Sequence, residues 1–600
     1  MGDIRSRMVS HPLMAHTVTS SFIAMLALTP TPALVPIIAL ISVIRLSSWA
    51  FVHRPGGFLF AVVQLLAISL AAGVAQLTPS LEALSTPTIS LVVLSVISIA
   101  TSAIALLAAF AACYVERIVS SQWATITIFP ALWASAWGSI SYVSSVGQLA
   151  TWSPVVGLGP YWWIRQYLGQ WGVNWIAAAW AGILSTLLGN WIVGTGETSH
   201  REDEPIISFL DDPEHGNEGT SIPRSGSSQS TSRSKETLAG LLILLMIPSY
   251  FFSSIPLPPF SDNTTPFTVG CVLPIPKYSG QRSGLPTLDD YIHDSRTLQA
   301  SANIVIWPEN AVRFASPAEK EDTFRELQLS KNMNKGKYWG ISFEEYIPAD
   351  LKGGVYKKGM KRNGFALLGS SGPPVLEYYK RHLVPIAESF PLVPGSEDPE
   401  MFTVELSAPK NYNKTDWAPA PKYTRPIPIT TSICLDLASP SSFDHLESRP
   451  SLILAPANTW HIGVGLAMWE QAKARAEETG STVVWCDGGD GGVSGVAGGG
   501  YDEFVQVGQG SWYKTIGVPY PFNEERTTFA RLGQYGAFMT VWAIVGVGYA
   551  VEGFLKRDDP QAGNLVGGRS LLKISQLVSF LRSFGRGSKV QAGEERPLLE

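Results

Sequence analysis

Charge is what this chain of 600 residues has least of. Asp, Glu, Lys and Arg together make up 16% of it, against about 25% in ordinary soluble proteins. The shortage is uneven: residues 1–195 are nearly uncharged, whereas 267–530 carry a normal complement. Cysteine is also scarce, with four residues at Cys113, Cys271, Cys434 and Cys486. None stands in a CxxC pair and none has a histidine at metal-ligand spacing. Neither a disulfide framework nor a zinc site is therefore expected, and no metal or organic cofactor is implied. The net charge of −5 is small for this length. It indicates no polyanionic partner and argues against nucleic acid.

What the sequence has instead is apolar length. A membrane helix needs about 20 mostly apolar residues. That rule predicts spans near 11–29, 33–52, 57–77, 88–113, 122–143, 172–195, 237–254 and 533–554. The first is not a cleavable signal peptide, because further apolar spans follow at once with no clear small-residue cleavage site. Four segments are expected. Residues 1–254 form a bundle of seven membrane helices with a disordered cytosolic loop at 196–236. Residues 255–532 form a non-cytosolic domain, 533–554 a closing helix and 555–600 a cytosolic tail. The orientation follows from basic residues at span ends: Arg5, Arg7, Arg54, Arg117, Lys556 and Arg557 all fall on one side, taken as cytosolic. Two glycosylation sequons, at Asn263 and Asn413, fall on the other side. Together with the serine-rich loop they point to a lumenal or extracytoplasmic domain in a eukaryotic secretory pathway. In the tail, Leu571, Ile574, Leu577, Val578, Leu581 and Phe584 recur at helical spacing. They suit either an amphipathic helix on the membrane surface or a short helix on the bundle. The terminal EERPLLE resembles an acidic dileucine sorting signal, with a frayed terminus the plainer reading.

Residues 267–530 alternate strand-like runs with helical ones, which argues for a layered α/β domain. The clearest helix is predicted at 463–479, stopped by Gly480. The glycine run 488–500 is expected to be a flexible hairpin, because no helix opens there as a nucleotide-binding loop requires. Three strand ends carry reactive groups. NIVIWPE ends on Glu309, VLEYYK ends on Lys380, and ITTSICLDL places Cys434 directly after a β-branched run. The set is chemically coherent. A carboxylate can take the thiol proton, a lysine can hold an oxyanion, and the thiolate can attack a carbonyl. Each also has a plainer reading on its own: a solvated strand end, a surface charge beside Arg381, and a small core residue.

The surrounding words narrow the choice. IVIWPEN, YYKRHLVPIAESFP and SICLDL, in that order, resemble the nitrilase or carbon–nitrogen hydrolase superfamily. They look most like its membrane branch, the apolipoprotein N-acyltransferases. The resemblance covers the soluble domain and also the layout of several helices, one nitrilase-like domain and a closing helix. It implies a polytopic α-helical bundle carrying an αββα sandwich. It makes Glu309 the general base, Lys380 the oxyanion-stabilising lysine and Cys434 the nucleophile, with Glu388 a supporting glutamate. Trp307 and Pro308 would fix the approach of Glu309. Two departures follow the cysteine: Leu435 stands where an aromatic is usual, and Asp436 where a glutamate is. The later Asn-Asp-aromatic word survives only as Asn458 and Trp460 in APANTWHIG.

The implied function is a membrane acyltransferase. A phospholipid would acylate Cys434 and an amine would accept the chain, as in lipoprotein biosynthesis. Two alternatives remain open: a membrane-tethered amidase hydrolysing a C–N bond, and a non-catalytic scaffold descended from such an enzyme.

Overall fold

A computed structural model describes residues 10–52, 56–193, 227–252, 255–275, 278–279, 282–283, 285–329, 332–347, 360–410 and 412–557. Arg5, Arg7, Arg54, most of the 196–236 loop, and the expected tail helix and dileucine word in 558–600 lie outside these residues.

The apolar segments become helices α1 (Pro12–Ala27), α2 (Leu34–Phe51), α3 (Gly57–Ala75), the short α4 (Leu77–Leu81), α5 (Pro87–Ile118), α6 (Gln122–Val143), α7 (Arg165–Val193) and α8 (Ser227–Leu244). Among the described residues, five helical segments are long and apolar enough to cross a membrane: Leu34–Phe51, Gly57–Ala75, Pro87–Ile118, Gly159–Ile192 and Thr528–Phe554. That is fewer than the eight expected. Helix α1 is apolar but short at 16 residues. The segment expected to span 237–254 stops at Leu244, then turns through Ile247–Tyr250. Pro248, which cannot continue a helix, lies in that turn. Residues 227–236, expected as loop, are helical instead. The helices share one core built from small and aromatic side chains, including Ala24, Ala105, Ala109, Trp133 and Trp137.

The remainder is two sheets. Its elements are β1 (Thr264–Cys271), the pair β2 (Tyr278–Ser279) and β3 (Arg282–Ser283), α9 (Leu288–Leu298), β4 (Ile304–Ile306), β5 (Val312–Phe314), α10 (Pro317–Leu329), β6 (Tyr338–Tyr346), β7 (Lys361–Leu368) and β8 (Leu376–Tyr379). Then come β9 (Phe402–Ser407), the short α11 (Lys414–Trp417), β10 (Thr424–Thr431), β11 (Leu452–Ala457), α12 (Ile462–Thr479), β12 (Thr482–Asp487), β13 (Val493–Gly498), β14 (Tyr501–Val507), β15 (Trp512–Pro519) and α13 (Thr528–Arg557). One sheet runs β15-β1-β4-β6-β7-β8, with β5 beside β6; the other runs β14-β13-β12-β11-β10-β9.

Side chains alternate faces along a strand, and this sorts the core into layers. Ile304 and Ile306 pack with Phe365 and Leu367 against Ile427, Ile429 and Leu454 of the second sheet. Val305, Trp307, Ile341 and Leu368 point the other way, onto Tyr291 and Leu298 of α9 and Phe324 and Leu327 of α10. Met468, Trp469, Ala472 and Ala476 of α12 pack with the second sheet. The order of layers is thus helix, sheet, sheet, helix, as expected. The parallel steps β1 to β4 and β10 to β11 to β12 bring several strand ends to one edge. The site is built there.

Two expectations need correction. Cys271 and Cys486 form a disulfide, with their Cα atoms 5.5 Å apart. Local spacing had offered no sign of it, because the partners are 215 residues apart and meet only when the two sheets stack. The glycine run is indeed a hairpin, but β13 within it is an almost wholly buried strand. Its glycine at 495 is required: a Cβ there would stand 2.6 Å from the Glu503 carbonyl oxygen.

Bundle and sheets are joined by specific contacts. Arg165 donates to Glu477 at 2.8 Å while almost fully buried. Trp460 Nε1 donates to the Pro79 carbonyl at 3.0 Å. The turn Gly147–Ala150, between α6 and α7, passes so close to the turn Cys434–Ala438 after β10 that a Cβ on Gly147 would meet the Ala438 carbonyl at 2.2 Å.

Candidate active site

The strand ends converge on one buried cluster. Glu309 follows β4 and is 2% exposed. Its backbone N–H donates to the Ala457 carbonyl of β11 at 3.2 Å, so its position depends on both sheets. Lys380 follows β8, is 1% exposed, and is held by its N–H donating to the Asn363 carbonyl at 2.9 Å. Its Nζ donates to Glu309 Oε1 at 2.7 Å and to Glu388 Oε1 at 2.9 Å. Glu388 is itself oriented, since its Oε2 accepts from the Val384 N–H at 2.8 Å. An ammonium has three N–H donors. Two are committed to carboxylates, and one is left for a substrate oxygen.

Cys434 opens a 3-10 turn, Cys434–Ala438, just past the end of β10. Its φ is 44°, a left-handed conformation that costs a non-glycine residue about 1–3 kcal/mol and tends to mark functional sites. A thiol forced into such a turn is presented at the sheet edge rather than folded back onto its own strand. It is nonetheless buried, at 6% exposure, and feels the charges of Glu309, Lys380 and Glu388.

Electrostatics follow from this burial. Loss of solvation raises the Glu309 pKa above its ordinary value, and Glu388 adds to the rise while Lys380 opposes it. Burial pushes the Cys434 thiol well above its ordinary value, Glu309 pushes the same way, and Lys380 opposes them. For Lys380, burial favours proton loss, but Glu309, Cys434 and Glu388 together outweigh it and hold the ammonium well above the usual range. The resting thiol is therefore protonated.

All four residues named for the reaction, Glu309, Lys380, Cys434 and Glu388, meet in this cluster. The other two supporting residues stand nearby with different tasks. Trp307 is turned away, onto the helix layer, where its Nε1 donates to Ser295 Oγ at 2.8 Å and its ring stacks on Tyr291. It anchors the strand rather than touching the reacting groups. Asp436, fully buried, accepts from Tyr378 Oη at 2.8 Å and from the His382 N–H at 2.7 Å, and pairs with His382 Nδ1 at 2.8 Å. The shorter acid thus ties the lysine segment to the cysteine turn.

The sequence reading missed Asn363, whose Nδ2 donates to Glu309 Oε1 at 2.6 Å. An asparagine at the head of the apolar run NGFALL was the available signal, since a buried strand carries a polar side chain only when it has a partner. It also missed Asp487. Burial raises the pKa of this carboxyl, while Thr459 opposes the rise through bonds to its N–H at 2.9 Å and its hydroxyl at 2.7 Å. Asn458, the remnant of the later word, reaches the Glu309 carbonyl at 3.4 Å. Among the described residues no group of acidic, histidine and cysteine side chains is arranged to hold a metal ion.

No protein-family model matches the chain, and no curated protein matches it. Solved structures do. An amidase from Nesterenkonia sp. is 15% identical, with a TM-score of 0.30, over 43% of this chain and 92% of its own. A variant of that amidase, carrying the acetamide moiety of fluoroacetamide on its active-site cysteine, is 14% identical over 48% and 98%, also at 0.30. A further variant, described as from the nitrilase superfamily, is 16% identical over 41% and 90%, at 0.29. At such TM-scores the likeness carries no weight in assigning a function.

Proposed function

We propose that the chain is a membrane-embedded acyltransferase acting through a cysteine thioester. The observation that carries this reading is the buried Lys380 ammonium bridging Glu309 and Glu388 beside a strained, buried Cys434. In the first step Glu309 takes the thiol proton as sulfur attacks an ester carbonyl. Lys380 donates its remaining N–H to the oxyanion. Collapse expels the alcohol, which takes back the proton from Glu309 and leaves an acyl-cysteine. In the second step an amine attacks the thioester, Glu309 accepts its proton, and the thiol is restored as the amide leaves.

The choice of a lipid donor is supported by the bundle's contact with the nucleophile turn. Gly147 packs on Ala438, at the end of the Cys434 turn. One helix would hold a soluble domain to a bilayer, whereas here five helical segments have the length and hydropathy to cross. We place the α/β layers on a non-cytosolic face, in the secretory pathway of a eukaryote. Two features support that placement. A disulfide persists in an oxidising compartment, and both sequon asparagines are exposed. Eight spans and an N-acyltransferase-like activity complete the proposal; the amine is not specified by the site.

The test is turnover in detergent with a diacyl phospholipid and an amine-bearing lipopeptide. The reading expects lysophospholipid release matched by amide formation. Release of free fatty acid alone, with rapid cleavage of small amides without lipid, would instead establish an amidase.

A further inference from the structure

A second charged site lies in the helical bundle, at the end away from the sheets. The near end is marked by Ala33, bridged to Val156, and by Pro79, which accepts from Trp460. The far end is formed by the last turns of α2, α5 and α7 and the first turn of α6. There a cavity of about 390 Å³ is lined by Arg45, Glu116, Ser185, Asn190 and Lys235.

Its charges do not balance. Arg45 Nη2 forms an ion pair with Glu116 Oε1 at 2.9 Å, and the guanidinium lies 4.4 Å from the centre of the Phe129 ring. Arg45 Nη1 is buried with no hydrogen-bond partner. Lys235, contributed by α8, makes no ion pair among the described residues. Two cations thus face one carboxylate, with donors to spare. Charge inside a membrane bundle is costly and tends to be kept for a ligand. Trp49 also lines the cavity and is 63% exposed, so the cavity reaches the bundle's outer surface. Aromatic side chains of this kind favour the level of lipid head groups.

We propose that this cavity binds a phosphate monoester, presented by the head group of an anionic lipid. Arg45 and Lys235 would supply charge-assisted hydrogen bonds to the phosphate oxygens, with Asn190 as a neutral donor. The proposal rests on the bundle lying in a bilayer, which carbonate extraction from membranes decides separately. It is independent of the chemistry at Cys434.

The experiment is native mass spectrometry of the full chain in detergent with three probes: dioleoyl phosphatidic acid, dioleoyl phosphatidylcholine and sn-glycerol 3-phosphate. Phosphatidic acid should be retained over phosphatidylcholine. Lys235→Gln strands no buried partner, so it should fold, and it should weaken retention roughly tenfold. Glu116→Gln removes the competing anion and should strengthen retention. Glycerol phosphate held alone, in a Lys235-dependent way, would identify a soluble ester as the source, and retention of the lipid alone would identify the membrane. Equal retention by Lys235→Gln and the unaltered chain, or no preference for phosphatidic acid, would overturn the proposal.

Discussion

Replacing Lys380 by methionine separates the two tasks assigned to this residue. The side chain is wholly buried and its Nζ lies 2.7 Å from Glu309 and 2.9 Å from Glu388. Removing one partner of a buried ion pair costs about 3–5 kcal/mol, because the charge left behind is uncompensated. Here the more deeply buried orphan is Glu309, which keeps Asn363 but, among the described residues, gains no other cation; Glu388 is partly exposed. Native stabilities are about 5–15 kcal/mol, so Lys380→Met should be severely destabilised. Adding Glu309→Gln removes the stranded charge. The double variant should regain most of the loss, giving a coupling energy of roughly 2–3 kcal/mol in a denaturation cycle. Activity should behave differently. Losing one oxyanion donor costs about 10²–10³-fold in turnover, and losing the base adds to that, so the double variant should be folded and inactive. Lys380→Met with unchanged stability, or a strictly additive cycle, would refute the ion-pair argument. A double variant with appreciable turnover would refute the oxyanion argument.

Further outcomes follow from the same geometry. Burial raises the Glu309 pKa, and the base must be ionised to accept the thiol proton, so activity should fall with decreasing pH. The midpoint of that acid limb in kcat/KM should lie above the ordinary carboxylate value of 4.5; a midpoint below it would contradict the burial argument. Asn363→Ala removes a 2.6 Å bond to Glu309 and should shift this limb as well as lower the rate, whereas a merely structural role would leave the pH profile in place. Lys380→Arg should keep the charge but lose most activity, because a planar guanidinium does not replace a point ammonium. Replacing Cys271 and Cys486 together by serine should cost about 2–5 kcal/mol of stability, read as a lower thermal midpoint without change in Cys434 acylation per folded molecule.

Glu309, Lys380 and Cys434 could be singled out because each stands just past a strand-like run, and Glu388 because it shares the word of Lys380; the structure brings all four together. The layering of the sheets was legible for a related reason: in IVIW, Ile304 and Ile306 face one way and Val305 and Trp307 the other, and both faces are apolar. Asn363 and the disulfide were not legible. Their partners lie across strands far apart in sequence: the apolar run after Asn363 signals only that it has a partner, and nothing near the two cysteines announces their pairing. The glycine run misled for the opposite reason. Its composition resembles a flexible loop, yet glycine at 495 is there because Glu503 and Trp469 leave no room for a side chain. The helix expected over 237–254 ends early at Leu244, before the turn that holds Pro248, a stop that the hydropathy of the stretch does not show.

The most direct test of the account is the intact mass of the purified chain after incubation with a diacyl phospholipid, beside a Cys434→Ser control. The account predicts a hydroxylamine-labile adduct of one fatty-acyl chain, mapped to Cys434 and absent from the control. A folded protein that acquires no acyl group, or acquires it equally in the control, would contradict it.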